Sequence, residues 1–309
     1  MGKIATFIDM PALGDTLAAI PTINKLCQAH NVPITVFTYH PSLFYNHPSI
    51  LESLPIHQID YDLYDYFYKT PFKEKAIING ENIEFKHAQI DIRQFHALSL
   101  GFSLTPKEME IDLYIEEDWE IGFKDYVVIH PTYTWESRTW DIEKYQKLIY
   151  KLNDEGIPVV AIGKNSSEKG FHNISKPVMD IDIPYGVNLM NHPDGSLPKI
   201  RSLISKAKCL VVMDSGILHL GGTTDVEIIQ LGSSIDPYFR APYRNGSQKY
   251  KYTFVGGGCE LFCTSNMKHH LKEWDSIQGV PPLVGCLENK PSFECHPGVD
   301  KVFNKIITL

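Results

Sequence analysis

Residues 209–222 read CLVVMDSGILHLGG, and this stretch decides the fold. Its first five residues form an unbroken apolar run, which is typical of a strand buried on both faces of a parallel sheet. The small or polar letters DSG follow, and the remaining letters have the spacing of a helix. Strand, short turn and helix together form the repeating unit of α/β folds. Because ligands in such folds bind beyond the carboxyl ends of the strands, the DSG turn is a candidate binding site.

The same alternation of apolar runs and helical patterns continues on both sides of this stretch. Strands are predicted over residues 3–9, 33–39, 126–131, 158–162, 209–213 and 227–231, and helices over residues 17–26, 142–153, 198–206 and 299–306. Pro21 falls within the first helix and predicts a kink there. The aromatic residues 61–68 are interpreted as a further amphipathic helix, and the lining of a ligand cleft is the alternative.

The length of the chain indicates two domains. At 309 residues it exceeds the size at which a single hydrophobic core is typical. Residues 105–124 are rich in acidic side chains and look like a connection between two halves. The predicted domains are residues 1–118 and residues 119–309, and the second domain carries a cysteine-containing tail.

Composition and charge narrow the classes of partner. Hydrophobic residues make up 43% and charged residues 21% of the chain, as in ordinary globular proteins. The net charge of -8 argues against a nucleic-acid partner, because a polyanion is repelled by an acidic protein. The chain has no run of about 18 apolar residues, so the sequence predicts no membrane-spanning helix. The amino terminus lacks the features of a signal peptide. The expectation is a cytoplasmic protein with no integral membrane segment and no disulfides.

The first polar motif follows the first predicted strand. Gly14 is interpreted as permitting a tight turn, and Asp15 then lies near the start of a helix. A carboxylate at this position could act as a general base and remove a proton from a hydroxyl group. The alternative is that Asp15 only caps the helix, since aspartate is a preferred capping residue.

The DSG turn is the second polar motif. Asp214, Ser215 and Gly216 stand where a helix begins, and the N–H groups at a helix start attract anions such as phosphate. His219 follows within the same helix, three residues before Gly222. The alternative is that the three turn residues form an ordinary helix cap.

Two further strand ends carry candidate binding residues. The polar loop after residues 126–131 contains Arg138, whose planar guanidinium group could bind a diphosphate. Alternatively, Arg138 is solvated and Trp140 belongs to the core. Gly163 and Lys164 follow the next strand and are candidate neighbours of a ribose or a base, or else they form a simple turn.

Four of the six cysteines are grouped near the carboxyl end of the chain. They are Cys259, Cys263, Cys286 and Cys295. Four thiolates can hold zinc or iron in a tetrahedral structural site, which has no open position for catalysis. The spacing is not that of a standard zinc finger, so free and partly buried thiols are the alternative.

Taken together, these motifs resemble the heptosyltransferase-type glycosyltransferases of family 9. The resemblance is carried by Gly14 with Asp15, by the strand at residues 126–131 with Arg138 and Trp140, by the segment from Leu203 to His219, and by Cys295 before the last helix. The segment that contains Asp214, Ser215 and Gly216 is the most specific part. Arg138 stands where the family usually has lysine, and Thr132 stands where glycine is frequent.

This resemblance implies a fold of the GT-B type, in which two Rossmann-like domains have parallel sheets that face each other across a cleft. It implies a nucleoside diphosphate sugar donor, ADP-heptose-like or other, and inverting transfer to a hydroxyl group of a glycan, a protein or another acceptor. The implied catalytic residues are Asp15 and Arg138, and the implied donor-binding residues are Gly14, Thr132, Gly163, Lys164, Asp214, Ser215, Gly216 and His219. Transfer needs no cofactor, and some relatives that glycosylate proteins carry a metal-binding cysteine cluster.

Two other functions are compatible with the same fold. A sugar-nucleotide epimerase would need further acid and base carboxylates in its cleft, and the sequence points to none. A non-catalytic nucleotide-binding or assembly protein would have lost its site, and the presence of both Asp15 and Arg138 argues against that loss.

Overall fold

The computed structural model describes residues 3–8, 10–70, 75–78, 81–84, 90–133, 136–164, 178–263, 265, 286, 290 and 293–309. The chain forms two units. The first consists of Met1–Glu117 and Tyr238–Tyr250, and the second consists of Asp118–Pro237 and Lys251–Leu309. The domains predicted from the sequence, residues 1–118 and 119–309, instead place Tyr238–Tyr250 in the second domain.

A four-stranded parallel sheet forms the centre of the first unit. Its strands are β1 (Ile4–Ile8), β2 (Ile34–Thr38), β3 (Ile50–Pro55) and β4 (Tyr66–Thr70), in the order β3-β2-β1-β4. The helices are α1 (Leu13–His30) and α2 (Ile92–Ser99), and β5 (Lys75–Ile78) pairs with β6 (Glu81–Glu84) in an antiparallel hairpin. Every residue of β1 and β2 is buried, as their runs of apolar, aromatic and β-branched residues predict.

Helix α1 begins earlier than the sequence predicts. Its first residue is Leu13, so Gly14 lies inside the first turn of the helix, and the interpretation of Gly14 as a turn residue is wrong. The helix continues through Pro21 to His30. Pro21 and the residues around it are buried, so packing against the sheet stabilises this stretch although proline removes one backbone hydrogen bond.

The helix expected over residues 61–68 is also wrong. Tyr61–Leu63 form a single 3-10 turn, and the chain then enters the edge strand β4. Tyr66 and Tyr68 both approach the ring of His30, with centroid distances of 5.8 and 5.4 Å. Phe67 packs instead with Phe37 of β2. This alternation has the period of a strand, and aromatic side chains favour strands over helices.

The second unit contains a six-stranded parallel sheet. Its strands are β7 (Val127–Ile129), β8 (Val159–Ala161), β9 (Gly186–Asn188), β10 (Cys209–Val212), β11 (Glu227–Leu231) and β12 (Tyr252–Val255), in the order β12-β11-β10-β7-β8-β9. The helices are α3 (Ile142–Asp154), α4 (Leu197–Ser205), α5 (Gly216–Gly221) and α6 (Val299–Ile307). Short 3-10 turns at Glu136–Arg138 and Pro237–Phe239 connect these elements.

One large apolar core holds the second unit together. It joins residues of β7, β8, β10 and β11 to the buried faces of α3 and α6, and Trp140 lies within it. Trp140, Leu148 and Val302 are fully buried there. Each buried aliphatic side chain contributes roughly 1.5–3 kcal/mol of hydrophobic stabilisation. This core fixes the ends of the strands from which the polar loops begin.

Within the described parts of the chain, no helix is both long enough and apolar enough to cross a membrane.

Candidate functional site

The strand order of the second sheet indicates where a ligand would bind. Strands β8 and β9 lie on one side of β7, whereas β11 and β12 lie beyond β10 on the other side. The direction in which the chain builds the sheet therefore reverses between β7 and β10. Ligands of open parallel sheets bind at the carboxyl edge beside such a reversal. The residues that leave the sheet at this point are His130 after β7 and Asp214 after β10.

Arg138 and Asp214 form an ion pair beside this edge. The Nη2 atom of Arg138 lies 2.9 Å from the Asp214 carboxylate and donates a hydrogen bond of 2.6 Å to the Asp214 carbonyl oxygen. The side chain of Arg138 is only 14% exposed and that of Asp214 is 2% exposed. The alternative of a solvated Arg138 is therefore wrong, although Trp140 does belong to the core as that alternative states.

His130 connects two loops that leave the sheet. Its Nδ1 lies 3.4 Å from the Ser215 hydroxyl oxygen, and its Nε2 lies 3.0 Å from the Thr132 hydroxyl oxygen. Burial lowers the pKa of His130 to about 4, so the imidazole is neutral near pH 7. A neutral imidazole donates through one ring nitrogen and accepts through the other, so it orients both hydroxyl groups. His130 is not among the site residues predicted from the sequence, although it directly follows the buried strand β7.

Gly163, in the loop after β8, lies against Thr132 and His130. A Cβ atom at this position would lie 2.5 Å from the Thr132 hydroxyl oxygen and 2.9 Å from the His130 ring. The backbone φ angle of 124° is also one that side chains rarely adopt. Gly163 therefore lets the loop after β8 approach the loop after β7. Lys164, the next residue, is exposed and is the last described residue before 178.

The residues after Asp214 are more than an ordinary helix cap. Ser215 is the capping residue of α5, yet its side chain makes no capping hydrogen bond and approaches His130 instead. Gly216 is the first residue of the helix, and His219 is buried within it. The helix has only six residues, so the polar side chains at the sheet edge, rather than the helix alone, define the candidate site.

Gly14 and Asp15 belong to the first unit. In its sheet the chain order reverses between β1 and β4, and α1 follows the carboxyl end of β1. Asp15 is the third residue of α1 and is half-buried, whereas the capping residue is Ala12, whose side chain makes no capping hydrogen bond. Asp15 is therefore not the N-cap residue of this helix. Asp15 presents a carboxylate in the first helical turn, beyond the carboxyl end of β1, where parallel sheets usually bind their ligands.

The four grouped cysteines line one cavity in the second unit. Its volume is about 500 Å³, and Ser137, Ser234 and Phe293 also line it. Burial raises the pKa of the Cys295 thiol to about 12, and the nearby thiols of Cys259, Cys263 and Cys286 add to this increase. Each of the six cysteines is a free thiol, as expected. Within the described residues, no three Cys, His, Asp or Glu side chains are already arranged to hold a metal ion.

Comparisons with known proteins agree with this architecture. The sequence profile of glycosyltransferase family 9 (heptosyltransferase) matches residues 85–253, more than half of the chain. This match spans the loops that bear Thr132, Arg138, Gly163 and Asp214. A comparison with curated proteins gave no match.

Several solved structures share the fold. The chain is similar to the bacterial iron-containing dodecameric glycosyltransferase TibC from enterotoxigenic E. coli H10407, with a TM-score of 0.69, 16% identity and coverage of 99% of this chain and 78% of that one. A structure of TibC, described as an iron-containing heptosyltransferase, in complex with ADP-D-beta-D-heptose gives a TM-score of 0.71 and 15% identity, with coverage of 99% and 77%. E. coli ADP-heptose lps heptosyltransferase II gives a TM-score of 0.60 and 16% identity, with coverage of 89% and 98%.

These similarities establish the class of the protein. The two parallel sheets, one in each unit, match the α/β fold of the GT-B type that the sequence predicts. The family profile covers the polar loops at the carboxyl edge of the second sheet. The chain therefore belongs to glycosyltransferase family 9 (heptosyltransferase) and is a glycosyltransferase.

Proposed function

We propose that this glycosyltransferase moves a sugar from a nucleoside diphosphate sugar to an acceptor hydroxyl group, with inversion at the sugar carbon. The observation that carries the proposal is the buried ion pair of Arg138 with Asp214. Ser215 directly follows Asp214, and His130 joins the Ser215 hydroxyl group to that of Thr132. A cation and hydrogen-bond donors at the reversal point of a parallel sheet suit a diphosphate.

In this proposal the second unit binds the donor. Ser215, Gly216 and Thr132 contact the phosphates, while Gly163, Lys164 and His219 complete the surroundings of the nucleotide and sugar. Arg138 stabilises the negative charge that grows on the diphosphate as the bond to the sugar breaks. Asp214 holds the guanidinium group in place before the donor arrives, which lowers the cost of orienting it.

In the same proposal the first unit supplies the base, because Asp15 is the carboxylate in the first turn of α1. Asp15 accepts the proton of the acceptor hydroxyl while the oxygen attacks the sugar carbon. The bond between that carbon and the diphosphate oxygen breaks on the opposite face, and the nucleoside diphosphate leaves with the electron pair. The acceptor, whether glycan, protein or another hydroxyl compound, and a cytoplasmic site of action are part of the proposal.

Adding the correct nucleoside diphosphate is expected to raise the unfolding temperature. A panel of ADP, UDP, GDP and CDP should give one clear response, and ADP is the first choice because the similar TibC structure contains ADP-D-beta-D-heptose. A ligand at a hundredfold excess over its Kd stabilises the native state by about 2.7 kcal/mol. Each kcal/mol raises the midpoint by roughly 2–4 °C in a protein of this size. No shift with any member of the panel would contradict the donor site.

An activity assay separates transfer from the competing functions. The donor sugar nucleotide that corresponds to the stabilising nucleotide is incubated with and without candidate acceptors. Release of nucleoside diphosphate that depends on an acceptor supports transfer. Conversion of the donor without an acceptor would identify an epimerase, and binding without any turnover would identify a non-catalytic protein.

We further propose that the four thiols of the cavity hold a structural zinc or iron ion. Their chemistry fits such an ion, because all four line one cavity and each of the others raises the pKa of Cys295. A bound cation would offset the repulsion that opposes their ionisation. The similar protein TibC is described as iron-containing. When bound, the ion would join the segment around Cys259 to the segment around Cys295.

Protein purified without chelator is expected to contain about one zinc or iron ion per chain by elemental analysis. Cys295→Ser should remove most of this metal. Cys27→Ala is the matched control, because Cys27 is a buried thiol of the first unit and donates to the Ser49 carbonyl oxygen instead. A metal content well below one ion per chain in the unchanged protein would end this proposal, and so would equal metal in the Cys295→Ser variant.

A further inference from the structure

We propose that His296 is a positioning residue that holds the turn bearing Arg138 in the orientation needed for the donor diphosphate. The inference rests on the proposed function, in which Arg138 contacts that diphosphate. It assigns to the cysteine-bearing end of the chain a role in donor binding.

His296 holds the backbone immediately before Arg138. Its Nε2 lies 3.0 Å from the carbonyl oxygen of Ser137, and both residues are buried. A carbonyl oxygen can only accept a hydrogen bond, so Nε2 carries the hydrogen in this contact. The carbonyl group of Ser137 belongs to the peptide unit that leads into Arg138. The hydrogen bond therefore restrains the position from which the long Arg138 side chain extends.

Three further contacts fix the same turn. The Ser137 hydroxyl oxygen lies 2.9 Å from that of Ser234, and the Ser234 N–H donates to the Ser137 carbonyl oxygen at 3.4 Å. On the other side of Arg138, the Trp140 Nε1 donates a 2.9 Å hydrogen bond to the Pro297 carbonyl oxygen. Trp140 is fully buried, so this bond is shielded from water. Ser137 and Trp140, which lie on either side of Arg138, are thus hydrogen-bonded to the consecutive residues His296 and Pro297.

The contacts of Arg138 with Asp214 depend on the position of the backbone at Ser137. The Nη2 atom of this side chain contacts both the carboxylate and the carbonyl oxygen of Asp214. A guanidinium group that meets two acceptors at fixed distances tolerates little movement of its backbone. A displacement of about 1 Å in a positioning group can cost roughly a hundredfold in rate. Loosening the backbone at Ser137 would therefore weaken the contact between Arg138 and a bound diphosphate.

Neighbouring residues of the turn belong to different surroundings. Ser137 lines the cavity of the four cysteines, whereas Arg138 contacts Asp214 at the candidate donor site. Cys295 lines the same cavity and directly precedes His296. His296 and the peptide unit between Ser137 and Arg138 therefore connect the lining of the cysteine cavity to the candidate donor site.

The test is a double-mutant cycle between His296 and Arg138. The probe is ADP, or whichever of UDP, GDP and CDP gives the largest thermal shift, and its Kd is measured by calorimetry. His296→Leu is expected to raise the Kd by about tenfold. His296→Gln keeps an N–H donor near the position of Nε2 and should restore most of the affinity. In the Arg138→Ala background, His296→Leu should change the Kd by less than about twofold.

Control variants separate positioning from stability. Tyr126→Phe removes a buried hydrogen bond of 2.7 Å to the Leu203 carbonyl oxygen, at the amino end of β7, and should lower stability without changing the Kd. Metal content is measured for every variant, since His296→Leu should retain the amount found in the unchanged protein. If both His296 variants fail to fold, Trp140→Phe removes the contact on the other side of Arg138, and the same cycle is carried out with it.

The outcomes distinguish this inference from the proposed function. If Arg138→Ala leaves the Kd unchanged, the role of Arg138 in donor binding fails, and the inference falls with it. If Arg138→Ala raises the Kd but His296→Leu does not, only the inference is overturned. It is also overturned if His296→Leu raises the Kd by the same factor with and without Arg138, because the two residues would then act independently.

Discussion

Replacing Asp15 by alanine is expected to lower kcat by about 10²- to 10⁴-fold, the usual contribution of a general base. The Kd of the nucleoside diphosphate should stay nearly unchanged, because Asp15 belongs to the first unit, whereas the residues proposed to contact the phosphates, Ser215, Gly216 and Thr132, belong to the second. The stability should fall by roughly 0.3–1 kcal/mol, since an acidic residue in the first turn of a helix interacts favourably with the helix dipole. Initial rates, nucleotide calorimetry and thermal unfolding measure these three quantities.

Asp15→Asn is the matched control, because it keeps the size of the side chain and removes the base. It should be nearly as inactive as Asp15→Ala. Substantial activity in the asparagine variant would show that Asp15 acts through shape or hydrogen bonding rather than by accepting a proton. Loss of nucleotide binding in both variants, with kcat preserved, would contradict the assignment of Asp15 to the acceptor side of the reaction.

Replacing Arg138 by alanine is expected to lower kcat/KM by about 10²- to 10³-fold, as the loss of one group that stabilises a developing anion usually does. It also leaves the Asp214 carboxylate, which is 2% exposed, without its cationic partner. Breaking one member of a buried ion pair costs about 3–5 kcal/mol of stability. Because Arg138 retains some exposure, the loss should lie toward the lower end of that range.

Arg138→Lys separates charge from geometry. Lysine is the residue that the family usually has at this position, and it restores the cation without the planar fork of arginine. It should recover most of the stability and part of the catalytic efficiency, since Arg138 makes two contacts with Asp214 here. An alanine variant with full kcat/KM, measured where the protein is folded, would remove Arg138 from the site.

Much of the fold could be predicted because parallel strands buried on both faces appear as short, mostly apolar runs followed by glycine or polar residues. The strand predicted over residues 227–231 has these bounds in the structure, and the helix predicted over residues 142–153 differs by one residue. Strand β9 was not predicted, because its three residues lie at the sheet edge and begin with Gly186. The helix interpretation of residues 61–68 failed because spacing alone did not show that Phe67 packs on Phe37.

Several residues of the candidate site could be predicted, but His130 and the contacts between the residues could not. Asp214, Ser215 and Arg138 could be selected because polar residues that follow buried strands meet at one edge of a sheet, and Thr132 was selected through the family resemblance. That Arg138 binds Asp214, and that His130 joins Ser215 to Thr132, depends on strand order and loop conformation. His296 could not be selected from local sequence, because its partner Ser137 is 159 residues away.

The segment Tyr238–Tyr250 has a consequence for how the protein emerges from the ribosome. Arg93 of the first unit is fully buried, pairs with Asp91 and donates to the Ala241 carbonyl oxygen at 2.8 Å, with its guanidinium group 4.8 Å from the Tyr243 ring. Of these partners, Ala241 and Tyr243 are synthesised only after β11 of the second unit. The amino-terminal unit is translated first, but it cannot complete its interior until much of the other unit has been synthesised. A fragment that ends at residue 117 would therefore lack the Tyr238–Tyr250 segment that covers the Arg93 guanidinium group.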